Sequence, residues 1–126
     1  MNIKRFKDIK PGDTIYIVMK SQGKTKIFKK IVSSKVDRSE AESSICIRKG
    51  LWGVTYYGIL KNKTFCKAEW TDTYLCTNLE DAKSICFKLT EDIISKTKEE
   101  LKVLQDRLDR WHNHLADLSL DKFTIK

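Results

Sequence analysis

Long apolar runs are missing from this chain. The longest, such as Ile15-Tyr16-Ile17-Val18-Met19, extend over four or five residues, against the ~20 that a membrane-spanning helix requires. The basic start Lys4, Arg5, Lys7 leads into no apolar signal region, so an intracellular, cytoplasmic protein without a membrane anchor is expected. Histidine is scarce: only His112 and His114 occur, two apart in a helical segment, which points them to different faces and offers no base for a nucleophile. Cys46, Cys66, Cys76 and Cys86 contain no C-x-x-C pair, so no zinc motif is present, and the thiols read as reduced, buried small hydrophobes. No glycine-rich phosphate loop exists, because Gly50-Leu51-Trp52-Gly53 lacks the lysine and spacing of a P-loop. Paired carboxylates such as Glu80 with Asp81, or Glu99 with Glu100, recur among lysines, as on a solvated helix face. Neither a cofactor, a metal nor a catalytic activity is expected.

Basic charge, in contrast, is abundant and uneven. Of the 25 basic and 17 acidic side chains in 126 residues, ten basic and two acidic ones lie in residues 1–36, and the remainder balances at fifteen each. The whole net charge of +8 therefore resides in the first quarter of the chain, where it can attract phosphate or an acidic surface. The competing reading is a lysine-rich solvated strand face that blunts a sheet edge and keeps the protein soluble.

Periodicity divides the chain into a strand half and a helix half. Lys10-Pro11-Gly12-Asp13 is a turn signal. Residues 14–20 follow as a strand with Ile15, Ile17 and Met19 on one face, and residues 25–33 return as a second strand across Ser21-Gln22-Gly23-Lys24. Residues 33–44 are polar and read as a surface loop. Strands are then expected over residues 44–49, 53–58, 64–70 and 74–76, with Trp52, Tyr56, Phe65 and Trp70 filling the interior, the competing reading being that Tyr56, Tyr57 or Trp52 is available for base stacking. The fold class expected is α+β: a small antiparallel barrel of five or six strands over residues 1–77, followed by a helical segment over residues 78–126 that packs on the barrel or on a partner.

Two short stretches carry a resemblance. Phe6-Lys7-Asp8-Ile9-Lys10-Pro11-Gly12-Asp13-Thr14-Ile15-Tyr16 resembles the opening of SH3-like small barrels, in which a Pro-Gly-Asp turn launches the first strand. Tyr74-Leu75-Cys76 followed by Thr77-Asn78-Leu79-Glu80-Asp81-Ala82 resembles the strand-then-helix ending of small phage and gut-bacterial accessory proteins. What the resemblance implies is a binding module rather than a reaction.

In the helical half, Thr77 with Glu80 fits a capping box, and Ala82, Ile85, Cys86, Leu89 and Ile93 recur at helical spacing. From residue 101 the pattern becomes a seven-residue repeat: Leu101, Leu104, Leu108, Trp111, Leu115 and Leu118. An unbroken helix from 78 to 118 would extend ~60 Å. Either a partner chain covers that length or the helix breaks or bends over residues 95–98, the favoured reading, with Thr97 and Glu100 as a second capping box; a short edge strand is expected at Phe123-Thr124-Ile125.

Three functions follow. The basic hairpin could bind nucleic acid or a nucleic-acid-handling complex, with Lys20, Lys24, Lys26, Lys29, Lys30, Lys35, Arg48 and Lys49 on phosphates and Phe28 exposed between two lysines. The repeat from Leu101 to Leu118 could instead form a homodimer or dock a protein partner. The two join in an accessory or inhibitor protein that offers a nucleic-acid machine a competing charged surface.

Overall fold

The computed structural model describes residues 3–126. Seven strands and one long helix follow a short 3-10 turn at Phe6–Asp8: β1 Thr14–Ser21, β2 Lys24–Ile31, β3 Ser34–Asp37, β4 Glu42–Lys49, β5 Trp52–Leu60, β6 Phe65–Lys67, β7 Tyr74–Cys76 and α1 Leu79–Ser119. The class is α+β, with two antiparallel sheets ordered β2-β1-β7-β6 and β3-β4-β5. The segment expected as a loop before β4 thus contains a strand of its own: Ser33, donating through its backbone to Cys46 (2.8 Å), leads β3 into a ladder with β4. Between β5 and the β6–β7 connection the chain makes a single backbone bond, Glu69 to Tyr57 (2.8 Å), in place of a ladder, so the two sheets stay separate.

The chain divides into two units, Met1–Thr90 and Glu91–Lys126. In the first, the β2-β1-β7-β6 sheet is covered on both faces. One face, carrying Ile15, Ile17 and Leu75, packs with Ile45 and Ile59 of the other sheet around Phe6 and Ile9. The opposite face carries Val18 and Cys76 and packs on Ala82, Ile85, Cys86 and Leu89 of α1, with Tyr16, Ile27 and Tyr74 at its margin. Strand alternation produces this division, because adjacent residues of β1 point to opposite layers. Thr25 on β2 bonds the Thr90 hydroxyl (2.6 Å), fixing the first turns of α1 on the sheet.

The core is filled by aliphatic residues and Phe6, not by the aromatics expected there. Trp52 is 82% exposed and Trp70 93% exposed, Phe65 is exposed and Tyr56 is half-buried. The 3-10 turn supplies the missing volume by inserting Phe6 and Ile9 between the sheets.

Helix α1 starts at Leu79 under an Asn78 cap. Asn78 Oδ1 accepts from the Asp81 backbone (2.9 Å) while its amide donates to the Asp81 carboxylate (2.7 Å), one residue later than the Thr77–Glu80 pairing expected. The helix then runs 41 residues without a break. Thr97 caps nothing: its hydroxyl donates to the Ile93 carbonyl (2.7 Å), as Thr90 does to Cys86 (2.8 Å), and no glycine or proline interrupts the run. Phe123, Thr124 and Ile125 form no strand.

Candidate nucleic-acid interface

The β1–β2 hairpin closes through Gln22 and Gly23, both at positive φ (52° and 76°), the tight two-residue turn that matches strand twist. Its register pairs Ile15 with Lys30, Ile17 with Phe28 and Met19 with Lys26, and on the other face Tyr16 with Lys29, Val18 with Ile27 and Lys20 with Thr25. The five hairpin lysines are therefore divided between faces. Lys20, Lys24 and Lys29 are exposed, whereas Lys26 and Lys30 are half-buried on the inter-sheet face.

Phe28 is not a fully exposed platform. It leans on the inter-sheet core, with the Lys30 ammonium 5.8 Å from its ring centre. Ile17, Met19, Phe28, Lys30 and Tyr56 line an open cleft of about 220 Å³. Burial raises the Tyr56 phenol above its ordinary range.

From residue 14 to 31 there is no acidic side chain. None of the five hairpin lysines has an ion-pair partner among the described residues, where the pairs are Lys4–Asp13, Arg38–Glu69, Lys61–Asp37 and Lys67–Asp72.

Lys35 is placed differently. Its ammonium donates to the backbone carbonyls of Phe6 (2.5 Å) and Ile9 (3.3 Å), and desolvation, the largest influence on it, lowers its pKa. This lysine holds the 3-10 turn in place. Arg48 and Lys49 are exposed at the end of β4, where Lys49 pairs across the ladder with Trp52. Gly50 takes φ +64° in the turn between them.

One cluster left no trace in the sequence pattern. Arg38 bonds Glu69 (2.9 Å) and lies 5.2 Å from the ring centre of Tyr57, next to the Glu69–Tyr57 backbone bond. Its members are 12 to 31 residues apart, so no local periodicity could have joined them. The four thiols are free, and burial, helped by Asp81, pushes Cys76 up to about 12. Among the described residues, no three or more His, Cys, Asp or Glu side chains are arranged to hold a metal ion, and no helix is long and apolar enough to cross a membrane.

In the Glu91–Lys126 unit, the six repeat residues lie on α1. Leu101, Leu104, Leu108, Trp111 and Leu115 are exposed and Leu118 is partly so. The Trp111 and His114 rings meet edge to face at 6.0 Å.

No family model, curated protein or solved structure matches this chain.

Proposed function

We propose that the protein is a non-enzymatic nucleic-acid-binding module that grips the phosphate backbone, or a nucleic-acid machine, through its lysine-rich β1–β2 hairpin. In this reading the two sheets act together as an SH3-like barrel whose seam is the Arg38–Glu69–Tyr57 cluster. The observation that carries it is the acid-free hairpin with five lysines lacking ion-pair partners among the described residues. Lysine ammonium groups are point charges that recognise phosphate without the forked geometry that reads bases, so the binding is tight at low salt and indifferent to sequence. Lys49 beside the exposed Trp52 offers a further phosphate contact with a stacking surface next to it.

Fluorescence anisotropy with labelled single-stranded and duplex DNA and RNA, at low and moderate salt, tests this. Binding should fall steeply with salt. The exposed pair Lys24→Glu with Lys29→Glu should weaken it by about tenfold or more while the circular dichroism spectrum is unchanged. Absence of binding by the wild type at low salt, or unchanged affinity in the double variant, would overturn the proposal.

A further inference from the structure

The apolar stripe of the Glu91–Lys126 unit is longer than the sequence pattern suggested. Upstream of Leu101, Ile85, Leu89 and Ile93 recur at helical spacing, but Ile85 and Leu89 pack against the sheet, and the residue in phase with the repeat is Ile94, which is 50% exposed. Ile94, Thr97, Leu101, Leu104, Leu108, Trp111, Leu115 and Leu118 alternate steps of three and four without a slip. That is three and a half heptads, the seam of a left-handed two-helix supercoil. The same spacing reaches back to Phe87, also exposed.

We propose that residues 94–111 pair with the same segment of a second copy of this chain as an antiparallel coiled coil centred between Lys102 and Val103, with Leu115 and Leu118 lying beyond the self-paired stretch. This inference is independent of the nucleic-acid reading. Orientation and register follow from the flanking charges. With the centre there, Leu101 faces the second copy's Leu104, Thr97 faces Leu108, and Ile94 faces Trp111, so the largest side chain meets a medium one and the smallest meets a leucine. Glu100 then flanks the second copy's Arg107, a pairing that occurs twice by symmetry.

The alternatives are worse. Sliding by one heptad in either direction brings Arg107 against Arg107 or Glu100 against Glu100 at the symmetry axis. A parallel pair stacks Trp111 on Trp111 and sets Arg107 beside His112, with no opposite charges flanking residues 94–118. Flanking charges of this kind set partner choice and orientation in coiled coils. Glu100 and Arg107 are available for it, since neither makes an ion pair among the described residues. They also cannot pair within one helix, being seven residues, or ~10 Å, apart along its axis.

Sedimentation equilibrium of the full chain tests the proposal. The wild type should be a dimer, and Leu104→Glu a monomer. Glu100→Arg and Arg107→Glu should each weaken dimerisation by about threefold to tenfold, as two opposite-charge contacts become repulsive, and the variant carrying both should recover wild-type affinity. Recovery requires that the two positions meet across the interface, which only this orientation and register provide. A wild type that stays monomeric at high concentration would overturn the pairing. A dimer whose two charge reversals add without recovery would overturn the antiparallel register.

Discussion

Gly58 shows how much one residue can determine. It sits in the irregularity of the β4–β5 ladder between Ser43–Ile59 and Ile45–Tyr56, at φ +72°, where a side chain is disfavoured. A Cβ there would also lie 3.0 Å from Glu69 Cβ, in the cluster that links β5 to the β6–β7 connection. Gly58→Ala should cost ~1–2 kcal/mol from the left-handed backbone alone, and denaturant unfolding measures it. A neutral result would mean that β5 can shift at this point. Phe28 and Lys35 teach a related lesson about individual side chains. Alternation correctly placed Lys26, Phe28 and Lys30 on one face, yet it could not tell which face the second sheet would cover. Lys35 looks like one more basic residue in the sequence, and only the approach of the Phe6 and Ile9 carbonyls from a distant turn makes it structural.

At the scale of elements, helix α1 carries two apolar faces, one packed on the sheet and one exposed. Its first turns bury Ala82, Ile85, Cys86 and Leu89, and the stripe from Ile94 onward is left exposed. A linear scan for apolar residues merges the two, and the merged pattern looks like a bend. The helix passes through residues 95–98 because Thr97 satisfies its hydroxyl on the preceding turn and nothing there breaks the backbone ladder. The start of the helix is set by Asn78 and its reciprocal bonds with Asp81. Asn78→Ala should therefore cost ~1 kcal/mol, read as a lowered unfolding midpoint; no change would show that Thr77 takes over the cap.

At the scale of the molecule, carboxylates that bind a turn or a neighbouring strand make stability depend on acid. The Asp37 carboxyl is held below its ordinary 3.8 chiefly by the Ser43 hydroxyl, with Lys61 assisting. Asp13 is lowered chiefly by the Lys10 backbone N–H. A lowered carboxylate contributes stability that is complete above the unfolded value and lost as pH falls through the folded one. Unfolding free energy should thus be steady above pH 3.8 as far as these two groups govern it, and decline below. Asp37→Asn should flatten that decline; an unchanged acid limb would mean other carboxylates dominate. Much of this architecture is local in origin and was determined by the sequence alone: strand alternation, the Gln22-Gly23 turn, the helical half, the seven-residue repeat and the concentration of lysine in the first 36 residues. The tertiary structure alone decided which face of each strand is inside, that Phe6 rather than a tryptophan fills the core, that Lys35 is structural and that Ile94 belongs to the exposed stripe. Those outcomes depend on contacts between residues far apart in the chain, and local periodicity carries no record of which surfaces will meet.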